Sequence, residues 1–181
     1  LGDVYKRQEK HTILMNPFIE YIRAALEMVT KGFSYESVFR YLRCDMSGLG
    51  RDQVDMLENY VLALGIHGYK KWSEKWVRVY RTMDPEDIQV LNEYREIFVR
   101  EAEILAQGFS SGKRKVCEYC YSLYQFIESC EIQKKLKKQE LFFKEKGEKA
   151  LEKEYAQIYG IVMELLDRMV CLLYTSDAAD E

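Results

Sequence analysis

Only two prolines and ten glycines interrupt the 181 residues of this chain. All-β and doubly wound folds spend both residue types on their many turns, so a chain this poor in them has few places to reverse direction. Apolar residues instead recur at helical spacing, as in Phe18, Ile22, Ala25, Leu26 and Val29. The expected fold is all-α, a multi-helix bundle. Hydrophobic residues at 48% and charged residues at 31% describe a globular chain, neither disordered nor membrane-embedded. No apolar run approaches the 18 residues that a membrane span needs.

The helix boundaries have chemical markers. Asn16-Pro17 starts a helix: Asn caps, and Pro at the first helical position lacks only an N–H that would be orphaned anyway. Gly32 ends it in the left-handed conformation, and Ser34 caps a short second helix carrying Val38, Phe39 and Leu42. Glu27–Lys31 and Glu36–Arg40 have the i,i+4 spacing of helical ion pairs. A turn spans 44–50, and a third helix runs from Arg51 to Leu64 and stops at Gly65. Residues 65–82 carry no regular pattern. Asp84-Pro85 opens a long helix reaching Gln107, with Asp87 in a cap-like pair, and Gly108 to Gly112 is a loop. Residues 113–146 are helical with a break near Cys130, their buried face being Val116, Tyr119, Cys120, Leu123, Phe126 and Ile127. Gly147 separates them from a last helix, 148–170, with Leu151, Tyr155, Ile158, Val162, Leu165 and Met169 inward.

Catalytic signatures are missing. The only histidines are His11 and His67, too few for a His-based metal site or triad, and there is no phosphate-cradling glycine loop. Five cysteines at uneven spacing, with no signal peptide, point to free thiols in a reducing, cytoplasmic compartment. Cys117 and Cys120 form one CxxC pair, with Cys130 ten residues on. Zinc wants four ligands, so a metal reading would need Cys44 to join these three; a pair at i,i+3 on a buried helix face reads better as core.

One stretch stands out. Residues 69–81 (YKKWSEKWVRVYR) hold five basic groups, Lys70, Lys71, Lys75, Arg78 and Arg81, against one acid, Glu74. Tyr69, Trp72, Trp76 and Tyr80 are interleaved. Cations neutralise phosphates and aromatic faces stack on bases, so this composition suits nucleic acid. Its structural alternative is a connection anchored by Trp72 and Trp76, with the basic side chains simply solvated. A second cluster, Lys134, Lys135, Lys137 and Lys138, lies among glutamates and reads as a solvated helix face.

Both ends read as foreign. Residues 1–8 (LGDVYKRQ) and 171–181 (CLLYTSDAADE) match in-frame translations of adapters from transposon-based sequencing libraries. On that reading native sequence runs from about Glu9 to Val170 and is an internal piece of a longer protein. The formal charge then moves from −3 to −1, and four cysteines remain.

Four segments carry a resemblance: EKHTILMNPFIEYIRAALEMV (9–29), FSYESVFRYLRC (33–44), LENYVLALGIHGYKKWSEKW (57–76) and EYAQIYGIVMELLDRMV (154–170). In this order they resemble the AddB family, the second subunits of the bacterial AddAB helicase–nucleases, which process DNA double-strand ends. The resemblance implies a superfamily 1 helicase-like subunit without a working motor of its own. It places residues 9–170 in the helical 2B-like insertion of the second RecA-like half, with Glu9 to Met15 as the tail of that half. It implies AddA as partner subunit, DNA reached through the complex, no membrane, and no catalytic residue or cofactor in this segment. The family's ATP and magnesium belong to the partner's motor. Its iron–sulfur cluster and divalent metal belong to a nuclease domain outside these residues, and Cys117, Cys120 and Cys130 do not match the cluster's cysteines. The function expected is therefore non-catalytic: scaffolding the partner and guiding DNA through Lys70, Lys71, Lys75, Arg78 and Arg81, with Trp72 and Trp76 as aromatic support. The alternatives are a protein–protein scaffold without DNA contact and an independent small cysteine metal-binding protein.

Overall fold

Asn16 starts the first helix as its position predicts. Its Oδ1 accepts the Phe18 N–H at 2.9 Å, satisfying a donor that Pro17 cannot cover. The computed structural model describes residues 13–110, 112 and 114–177, together with Gly2 and Val4. Among them every regular element is a helix: α1 (Pro17–Thr30), α2 (Tyr35–Leu42), α3 (Arg51–Leu64), α4 (Tyr69–Ser73), α5 (Asp87–Ser110), α6 (Val116–Ser129), α7 (Ile132–Glu145) and α8 (Lys149–Asp177). The all-α expectation holds. Most of residues 1–8 and all of 178–181 lie outside the described residues, as does His11.

The chain forms two compact units, one of residues 20–106 and one of residues 1–19 with 107–181. In the first, α1 ends with Gly32 at φ 61°, and the Phe33 N–H reaches back to the Met28 carbonyl at 2.8 Å. Ser34 caps α2, its Oγ accepting from the Ser37 N–H. Gly65 closes α3 at φ 63°. The core is aromatic: Tyr21, Tyr41, Tyr60, Trp72 and Phe98 are all fully buried. The rings of Tyr21 and Tyr41 stack at 5.0 Å, their hydroxyls 2.8 Å apart. Each buried hydroxyl thus keeps a partner, without which its desolvation would cost about 1–3 kcal/mol.

Three local expectations change here. Glu27–Lys31 forms at 2.6 Å, but Arg40 passes over Glu36 and binds Glu20 at 2.5 Å and Glu27 as well. A guanidinium fork can serve two carboxylates of a facing helix, which outweighs one weak i,i+4 pair. The long helix starts at Asp87, not at Pro85. The Asp84 Oδ1 accepts the Glu86 N–H at 3.0 Å in a turn, and Asp87 is the first helical residue and not a cap partner. The irregular stretch 65–82 contains the five-residue helix α4.

In the second unit α6, α7 and α8 pack on one another. The predicted break falls at Cys130 and Glu131, where Glu131 takes φ 52°, and Gly147 turns the chain at φ 73°. The expected loop at Gly108 is instead helix, because α5 continues to Ser110. Gly108 is there for space: a Cβ on it would sit 2.6 Å from the Ser122 Cβ. Val116 is exposed, so the buried face of α6 begins at Cys120. In α8 Ile158 and Val162 face inward as expected, but Leu166 is buried where Leu165 and Met169 were expected. Over these turns the buried positions keep a four-residue step, Ile158, Val162 and Leu166. The helix also runs past Val170 to Asp177, since neither Gly nor Pro follows Gly160 to stop it.

Candidate nucleic-acid interface

The basic–aromatic stretch is built around two indoles that point inward. Gly68, at φ 81°, turns the chain into α4, and Glu74 leaves it in extended backbone. Trp72 is 1% exposed and meets the Phe98 ring edge-on at 4.6 Å. Trp76 is 5% exposed, stacks on Tyr60 at 4.6 Å, and donates its Nε1–H to the Lys71 carbonyl at 3.0 Å. Neither ring is presented for stacking on a base. Both support the backbone, which removes the stacking expectation for these two residues and leaves the electrostatic one.

A short helix and an irregular strand of chain need more than two rings to hold them. Two side chains of α5 do this work. The Asn92 carboxamide accepts the Trp76 N–H at 2.9 Å and donates to the Trp76 carbonyl at 2.8 Å and the Ile88 carbonyl at 2.9 Å. Arg95 is 4% exposed; its Nη1–H donates to the Trp72 carbonyl at 2.9 Å and its Nε–H to the Asn92 Oδ1 at 3.0 Å. Burial pulls the Arg95 guanidinium below the ordinary arginine range, with Glu96 pulling the other way. A cation at the last carbonyls of α4 also complements that helix end. From the other side the Tyr60 hydroxyl donates to the Arg78 carbonyl at 2.8 Å. Burial raises the Tyr60 pKa, and the nearby Arg78 charge opposes the rise.

Sequence reasoning had missed Asn92 and Arg95. Their signal was visible: both sit on the face of α5 that buries Leu91 and Phe98, where a polar pair has to be serving something.

On this fixed backbone Lys70, Lys71, Lys75, Arg78 and Arg81 are all exposed. Lys71 pairs with Glu74 at 2.8 Å and holds that carboxyl below its usual range. The other four make no ion pair among the described residues. A cavity of about 260 Å³ lies beside the stretch, lined by Tyr60, Leu64, His67, Lys71 and Arg78 among others. The arrangement can bind an anion electrostatically.

The other candidates disperse. Lys134 pairs with Glu131, and Lys137 with Glu140 at 2.8 Å, on the exposed side of α7. Cys120 and Cys130 are buried, Cys44 and Cys117 half-buried. Among the described residues no group of three or more His, Cys, Asp or Glu side chains is placed to hold a metal ion. Burial also pushes the Cys44 thiol up to about 11. No helix of the described residues is long and apolar enough to cross a membrane.

Fold and site together define an all-helical module that carries a rigid basic loop on an aromatic core. No family model matches the chain. Curated relatives do. It is 37% identical over 186 residues to the B subunit of the ATP-dependent helicase/deoxyribonuclease of Lachnoclostridium phytofermentans, covering 95% of this chain and 16% of that protein. It is 39% identical to the corresponding protein of Clostridium novyi, over 92% of this chain and 14% of that protein. The corresponding protein of Caldanaerobacter subterraneus is 38% identical over 91% of this chain and 15% of its own length. The chain belongs to this family of helicase/deoxyribonuclease B subunits and corresponds to about one-seventh of their length.

Proposed function

We propose that the chain is a non-catalytic helical segment of a helicase–nuclease subunit that processes DNA double-strand ends for recombinational repair. Its tasks are to scaffold the partner helicase–nuclease subunit and to guide DNA. The kinship with B subunits supports the setting. The observation that carries the DNA role is the basic loop: Lys70, Lys75, Arg78 and Arg81 are exposed and without ion pairs among the described residues, on a backbone locked by Trp72, Trp76, Asn92 and Arg95. A rigid cluster of cations pays little to meet phosphates, and the counterions it releases supply the binding free energy. ATP, magnesium, the nuclease metal and the iron–sulfur cluster belong to other parts of the assembly. Within it, we read residues 9–170 as the 2B-like helical insertion, and residues 1–8 and 171–181 as adapter-derived.

The test is charge reversal in the assembled two-subunit enzyme. Lys70→Glu, Lys75→Glu and Arg78→Glu together are expected to weaken DNA-end binding. They should also lower the slope of log affinity against log salt by roughly 2 to 3, the share of three phosphate contacts. An unchanged slope removes the DNA role and leaves the scaffold alone. That second reading draws on the apolar side chains that the other unit exposes, Leu141, Phe142 and Leu165.

A further inference from the structure

The backbone between Lys75 and Tyr80 runs without helix, turn or bend. Trp76 and Tyr80 both contact the Tyr60 ring, at 4.6 and 6.2 Å. Val77 is 74% exposed and Val79 43%. Trp76 and Tyr80 thus share one face, as positions an even number apart in extended chain do, while Arg78 between them is exposed. In a strand, the N–H and C=O of alternate residues point to opposite edges. The edge of 76, 78 and 80 is largely occupied: Asn92 pairs with both backbone groups of Trp76, the Tyr60 hydroxyl donates to the Arg78 carbonyl, and the Met83 N–H donates to the Tyr80 carbonyl at 3.0 Å, while the N–H groups of Arg78 and Tyr80 make no hydrogen bond among the described residues. In effect a carboxamide and a phenol stand in for a neighbouring strand. The opposite edge is open. The N–H and C=O groups of Lys75, Val77 and Val79 make no hydrogen bond among the described residues.

We infer that Lys75–Tyr80 is a preformed strand edge that takes up an extended, acidic polypeptide segment of a partner protein. Three properties select this occupant. The open edge offers carbonyl acceptors as well as N–H donors, and a phosphate backbone has no donors with which to answer them. Val77 and Val79 present β-branched surface that suits the apolar positions of an alternating peptide and adds nothing to phosphate binding. Lys75 and Arg78, exposed on the same stretch, would lie near their own copies in a self-paired edge and repel them, whereas an acidic segment meets both. Because Asn92, Tyr60 and Trp76 already hold the stretch straight, pairing costs little ordering on this side. The inference shares Lys75 and Arg78 with the DNA role and adds to them the backbone groups of Lys75, Val77 and Val79, which the DNA role does not use.

The experiment uses the full chain and a fluorescent hexapeptide of alternating glutamate and valine. Amide hydrogen exchange of Val77 and Val79 is expected to slow at least about tenfold on adding the peptide, the effect of one to two backbone hydrogen bonds. A peptide methylated at alternate amide nitrogens should give no protection. Val77→Pro, which removes one donor from the open edge, should weaken peptide binding about tenfold while circular dichroism and oligonucleotide affinity stay unchanged. Equal binding of the methylated peptide would reduce the effect to charge attraction and overturn the inference. So would protection that grows with protein concentration alone, or protection conferred by a single-stranded oligonucleotide in place of the peptide. An unchanged salt slope in the charge-reversal test, with protection present here, defeats the DNA role and leaves the edge intact.

Discussion

The two compact units solve the same problem with different means. Residues 20–106 bury large aromatic rings and then use buried polar side chains, Asn92 and Arg95, to fix a stretch that has no periodic structure of its own. The 107–177 helices bury mainly aliphatic side chains, such as Ile127, Ile132, Ile158 and Val162, around the single fully buried ring of Phe126, and approach closely at Gly108. They leave Leu141, Phe142 and Leu165 uncovered. The contrast teaches where precision is held: irregular chain needs a dense set of named hydrogen bonds, whereas helix packs on helix chiefly by shape, with isolated bonds such as Tyr159 to Glu128 at 2.6 Å.

Substitutions can break that contrast. The largest effect is expected from Asn92→Ala, which strands the Trp76 N–H and C=O and one Arg95 donor. Urea unfolding should show a loss of roughly 3 kcal/mol. Protease should then cut within 75–80. A loss within about 0.5 kcal/mol would mean that the aromatic packing alone holds the loop. Next is Gly108→Ala. Helix propensity favours alanine by about 1 kcal/mol, but the new methyl meets Ser122, so a net loss of about 1–2 kcal/mol is expected. Combining it with Ser122→Gly should recover the clash portion. A gain in stability from Gly108→Ala alone would show that shape is not limiting in that unit. The smallest effect concerns Cys44. Its pKa is raised from 9.0 to about 11, chiefly by burial, so the folded chain holds the proton more tightly than the unfolded one. The stability from this group is full below pH 9.0 and declines as pH rises towards about 11. Thiol labelling at about pH 8 should therefore spare Cys44 while exposed Cys171 reacts. Rapid labelling of Cys44 would show that its cover opens readily.

Much of the helical order was legible from punctuation. Asn16, Gly32, Ser34, Gly65 and Gly147 each carry a backbone preference that acts locally, and each marks a boundary that the structure keeps. What escaped was non-local. Arg40 had a sequence neighbour of opposite charge in Glu36, yet chose α1. Gly108 resembled a loop glycine, although its reason is a serine 14 residues away. The basic stretch was visible as composition, and the burial of Trp72 and Trp76 was readable from their spacing. The clamp from α5 was not, because nothing in residues 69–81 announces which later side chain will satisfy their backbone.

That clamp has a consequence for the order in which structure arrives. Asn92 lies 16 residues after Trp76, and Arg95 lies 23 residues after Trp72. A chain leaving the ribosome amino end first exposes the basic loop before either anchor has been made. α1, α2 and α3 can close their local hydrogen bonds as they emerge, but the loop has to wait until the first turns of α5 exist. During that interval two tryptophans and an unpaired edge stand open to whatever else is nearby, so this is the part of residues 20–106 that a nascent chain most needs to have shielded.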